Sequence, residues 1–193
     1  MKTDILTISS DGTNMEAALA QVDKVAAYKE LSPKDMMVLR LLAEETMALV
    51  RAITGSVNGE FWMEDEDGVY TLHLQVTSLM DEQQKDQLLS ASTSGKNEAT
   101  RGFMGKIRSF FEPSSSVPLF SAGLGGAPQM YNSYVWSMGD YRDQLRQYNE
   151  QNEKGAREAW DELEKSVVGH LADDVKVSIL GRTVEMTIEK RFS

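Results

Sequence analysis

Cysteine is absent from this chain. That removes any disulfide framework and any thiolate nucleophile or metal ligand. Histidine is scarce. There are two, His73 and His170, far apart in sequence, and without cysteine they make no metal-binding pattern. Positive charge is in deficit: 20 Lys and Arg stand against 30 Asp and Glu, a formal net charge of −10. Such an excess repels a phosphate backbone, and no basic cluster overrides it, so nucleic acid is excluded as an expected partner. No apolar run approaches the roughly 20 residues that cross a bilayer. The opening MKTDILTISSDG also lacks the apolar stretch of a signal peptide. The expectation is a soluble, cytoplasmic protein with no membrane partner.

What is present has the profile of a globular protein. The chain has 193 residues, 41% hydrophobic and 26% charged, enough for one domain with an insertion or for two small ones. Residues 3–9 (TDILTIS) read as a first strand. SSDGTN turns, and Asn14 is placed to cap a helix whose apolar face is Ala17, Ala18, Leu19, Val22, Val25 and Ala26. Ser32-Pro33 starts a second helix, with Asp35 at the capping-box position, and Gly55 stops it. EFWMEDEDGVYTLHLQV reads as a hairpin turning at Asp67-Gly68. In its second arm Tyr70, Leu72, Leu74 and Val76 alternate with Thr71, His73 and Gln75. Short helices are expected over 81–90 and 103–111.

Residues 113–129 are rich in Pro, Gly and Ser and mark a linker. Beyond them Tyr134, Met138, Tyr141, Leu145 and Tyr148 recur at helical spacing, as do Ala156, Trp160, Leu163 and Val167. Two helices in a hairpin are expected over 130–171, one long helix being the alternative. DDVKVSILGRTVEMTIEKRF closes the chain as a second hairpin turning at Gly181-Arg182. The expected fold is a two-layer α/β sandwich. About five strands form a mixed sheet, helices cover one face, and a helical hairpin is inserted.

One residue stands out. On a helical wheel for 39–53, Val38, Leu42, Leu49 and Ile53 form one side, flanked by Leu41 and Ala52. Arg40, Glu44 and Arg51 lie opposite. Glu45 falls between Leu42 and Leu49 on the apolar side. A buried carboxylate without a partner is costly, so it needs a donor, water or a proton.

The element order, together with LSPKDMMVLRLLAEETMALV, resembles the histidine-kinase-like ATPase superfamily, and within it the anti-sigma-factor serine kinases. In that group a helix carries Glu-x-x-x-Asn, the Glu polarising a water and the Asn binding magnesium. The resemblance puts Glu45 at the Glu position, as a catalytic base aimed at a nucleotide pocket. Leu49 stands at the Asn position and cannot ligate magnesium. The family's Asp-x-Gly-x-Gly box would fall near TSLMDEQ, which has no glycine; Asp81 is its nearest acid and would lie by adenine. The glycine-rich lid would fall in SGKNEATRGFMGKI, placing Gly95, Lys96, Gly102 and Gly105 around phosphate. SGK followed by Asn97 is not a P-loop.

The resemblance assigns 1–112 to the main part of the fold, 113–129 to a flexible linker, 130–171 to a helical insertion and 172–193 to a hairpin completing the sheet. It implies a bacterial, non-catalytic regulator resembling anti-sigma factors, which binds a protein partner and needs no cofactor. Tyr134, Met138, Tyr141 and Trp160 are the candidate partner surface, with homodimerisation a further use of it. A divergent ATP- and magnesium-dependent serine kinase, and a purely structural or dimerisation module, are the alternatives. No metal site is expected.

Overall fold

A computed structural model describes residues 1–52, 58–77, 133–150, 154–180 and 183–192. Strand β1 is Leu6–Ser9, followed by helices α1 (Met15–Tyr28) and α2 (Pro33–Ala52). Strands β2 (Asn58–Glu66) and β3 (Val69–Thr77) come next. Then follow β4 (Ser133–Ser137), α3 (Met138–Glu150), α4 (Lys154–Lys165) and α5 (Val167–Leu171). Strands β5 (Asp174–Leu180) and β6 (Thr183–Arg191) end the described chain. Gly55, the linker 113–129, the short helices expected over 81–90 and 103–111, and the Gly181-Arg182 turn lie outside the described residues.

The protein is an α/β structure on a six-stranded sheet in the order β1-β2-β3-β6-β5-β4. Every pairing among the described residues is antiparallel, where a mixed sheet of about five strands was expected. The additional strand is β4. Its spacing of Tyr134 from Met138 had read as helical, yet Ser133–Ser137 pair with β5. Five residues are too few for their period-2 alternation to outweigh the helical pattern that follows them.

Local signals explain the other elements. The Ser32 hydroxyl bonds the Asp35 carboxylate at 2.6 Å and accepts from the Asp35 backbone N–H at 3.2 Å, a reciprocal cap at the start of α2. Asn14 behaves differently from the expected side-chain cap. Its φ is 61° and its side chain makes no capping bond; Nδ2 instead donates to the Thr7 carbonyl at 2.8 Å, tying α1 to β1. Between β2 and β3, Asp67 and Gly68 have φ 49° and 77°, so both central residues are left-handed. That is the hairpin turn whose twist matches the strands.

Alternation then sets the faces. One row crosses the whole sheet: Leu6, Phe61, Leu74, Met186, Val177 and Trp136 are successive cross-strand partners. A parallel row joins Met63, Leu72, Ile188 and Val175. These rows and the buried residues of the helices form one core. Val22 and Val25 enter it from α1, Leu39 and Met47 from α2, and Met138, Tyr141 and Leu145 from α3.

Helices α3 and α4 fold back on each other. The Arg146 guanidinium lies 5.9 Å from the Trp160 ring. In one continuous helix those positions would be about 21 Å apart along the axis. The expected hairpin is therefore the form adopted, and Gly155 sits inside α4.

Candidate functional site

Helix α2 buries Leu39, Leu42, Ala43, Thr46 and Met47. These positions follow the 0, 3, 4, 7, 8 spacing of a core-facing helix. The buried arc is rotated by roughly a quarter turn from the side drawn through Val38, Leu42, Leu49 and Ile53. Leu39, Ala43 and Met47 supply the difference, and Val38 is only half-buried.

Glu45 consequently lies at the flank of the arc, half-buried rather than central. Among the described residues no group hydrogen-bonds or ion-pairs with it. Its neighbours are differently employed. Thr46 is fully buried and donates its hydroxyl to the Leu42 carbonyl at 2.6 Å, the back-bond that satisfies a threonine inside a helix. Glu44 takes Arg40 at 3.1 Å, and Arg40 also holds Asp23 of α1. Those pairs are on the exposed side, as the wheel placed them. A half-exposed carboxylate can accept hydrogen bonds from water or from a partner's donor without the full cost of burying a charge.

Asp81, Gly95, Lys96, Gly102 and Gly105 lie outside the described residues, so Glu45 is the one candidate site residue with a described position. Leu49 belongs to α2, one turn beyond Glu45. Among the described residues no three His, Asp or Glu side chains are grouped to hold a metal ion. No helix among them is long and apolar enough to cross a membrane.

The aromatic stripe divides between strand and helix. Tyr134 and Trp136 are on β4, paired with Ile179 and Val177. Met138 is fully buried and Tyr141 is 4% exposed. Trp160 is half-buried, and its indole N–H donates to Glu164 at 2.7 Å. Met138 and Tyr141 thus serve the core. Among the described residues, large apolar side chains are left in solvent at Met1, Ile5 and Val167 and, on α1 and α2, at Tyr28 (75% exposed), Met37 (65%) and Leu41 (36%). The helical pattern of α1 and α2 contained that information, because Met37 and Leu41 fall opposite the buried arc.

The two histidines diverge. His170, in the last turn of α5, is exposed. His73 is one of the polar members of the β3 alternation. It is 14% exposed and stacks flat on Trp62, ring centroids 4.6 Å apart at 6°. The two-residue turn at 67–68 fixes that pairing, since it sets Trp62 opposite His73. This contact was readable from the turn but not from the residue types.

Compared with models of known protein families and with curated proteins, the sequence matches none.

Proposed function

We propose that the protein is a non-catalytic regulator which binds a protein partner, built on a degenerate form of the histidine-kinase-like ATPase fold and resembling anti-sigma factors. The observation that carries the reading is the pair Glu45 and Leu49 on α2. The carboxylate sits half-buried with no described cation beside it, and one turn on, a hydrocarbon replaces the amide that would hold magnesium. The order of strand, two helices and hairpin in which the pair is set supports the same descent. The exposed Tyr28, Met37 and Leu41 on the α1–α2 unit favour a protein partner, because Tyr and Met are common interface anchors. The reading places the protein in the cytoplasm.

The test is calorimetric titration of the full chain with ATP and magnesium. The expected result is no heat of binding at micromolar nucleotide and no hydrolysis. Micromolar binding overturns the reading. If binding came with phosphoryl transfer that Glu45→Gln abolished, the divergent serine kinase would replace it.

A further inference from the structure

The sheet face turned away from the core carries a polar grid centred on His73. Its cross-strand partners are Trp62 on β2 and Thr187 on β6. Along β3 it has Thr71 and Gln75, which carry no charge. The ring nitrogens are aimed at carboxylates on two different strands. Nδ1 lies 3.4 Å from Glu185 of β6, and Nε2 lies 4.0 Å from Glu64 of β2. Nε2 is buried and has no hydrogen-bond partner among the described residues.

Glu64 is already in use on its other oxygen. Oε1 accepts from the Lys2 ammonium at 2.9 Å and from the Trp62 indole N–H at 3.1 Å. Lys2 also lies over the Trp62 ring, 5.1 Å from its centroid. The remaining charged groups around His73 are Glu60 on β2 and Glu189 on β6. Glu189 is bound by Lys176 of β5 at 2.7 Å, and Lys176 also reaches Asp174 at 3.5 Å.

A neutral imidazole has one N–H and can serve one of the two carboxylates; its second nitrogen, an acceptor, then faces an anion. The imidazolium has an N–H on each side and serves both. Imidazole is the side chain whose charge ordinarily changes between about pH 5 and 8. We propose that His73 is a proton-operated latch. On taking up a proton it binds Glu64 and Glu185 together, tying β2, β3 and β6 across this face, and it takes the Glu64 oxygen that Lys2 leaves free. The latch is on the face opposite the core and does not depend on the nucleotide-fold reading.

The test is NMR of the intact, ¹⁵N-labelled chain titrated from pH 8 to pH 5, following the His73 ring nitrogens and the Trp62 indole N–H. The indole proton is bonded to Glu64, so it reports movement of that carboxylate. The expected result is that the indole resonance moves with the same midpoint as the His73 ring, and that His73→Gln abolishes the movement. An indole resonance that ignores the His73 titration overturns the latch. So does a movement that persists in His73→Gln.

Discussion

Asp65 and Glu64 are adjacent carboxylates in opposite surroundings. Asp65 points to the core side and is 5% exposed. It is held by the Lys29 ammonium at 2.5 Å and by the amino group of Met1. Burial and the Asp65 charge push the neighbouring Tyr70 hydroxyl above its ordinary range. Glu64 points to the other face and is 42% exposed. The Lys2 ammonium, then the Trp62 indole N–H, holds its carboxyl below its ordinary value, and the charges of His73 and Lys2 add to this.

A carboxyl depressed in the folded state contributes stability that is present above its ordinary value of 4.5 and lost as pH falls through the folded value. Thermal unfolding of the protein and of Glu64→Gln should therefore differ at pH 7, the unsubstituted chain melting higher. The gap should close as the pH falls below 4.5 and through the lowered folded value. Solvent screening keeps the gap small at this exposure. A gap that widened in acid would contradict the assigned contacts.

At the scale of elements, the hairpin of β2 and β3 depends on two left-handed residues. Asp67 tolerates that conformation, and glycine adopts it freely. Gly68→Ala places a Cβ at φ 77°, 3.4 Å from the Phe192 carbonyl. The expected loss is about 1–2 kcal/mol, read as a lower urea midpoint with an unchanged slope.

The hairpins, α1 and α2 were legible because each carries its own punctuation: Ser32-Pro33-Lys34-Asp35, Asp67-Gly68, and runs of strict alternation. Strand β4 was not, because nothing within five residues separates it from the helix that begins at Met138. Glu45 was expected in the middle of the apolar side, and it lies half-buried at the flank of the buried arc. The helix chose its buried side by what it packs against, and Leu39, Ala43 and Met47 outweighed Val38. The Asn14 side chain shows the same limit: a capping residue found a better acceptor in Thr7 of the neighbouring strand.

For the whole molecule the decisive fact is the place of β6, the last strand in the chain and a central one in the sheet, between β3 and β5. Strand order is set by long-range pairing and has no signature in local periodicity, so it could not be read in advance. A chain ending at Leu171 would lack both β5 and β6. It would lose the buried Val175, Val177, Val184, Met186 and Ile188, each worth about 1.5–3 kcal/mol by burial. Their sum is on the order of the entire net stability of a domain. That truncated chain should show no cooperative thermal transition by near-ultraviolet circular dichroism, whereas the full chain should show one. A cooperative transition in the truncated form would mean that β1–β3 and their helices are an independent unit.

Strand position also governs when the protein can fold during synthesis. Until the residues through Arg191 have cleared the ribosomal tunnel, β3 offers a bare edge and the apolar row from Leu6 to Trp136 is interrupted at Met186. The nascent polypeptide must wait with that edge open, so its need of chaperone protection lasts from the synthesis of β3 until β6 has emerged.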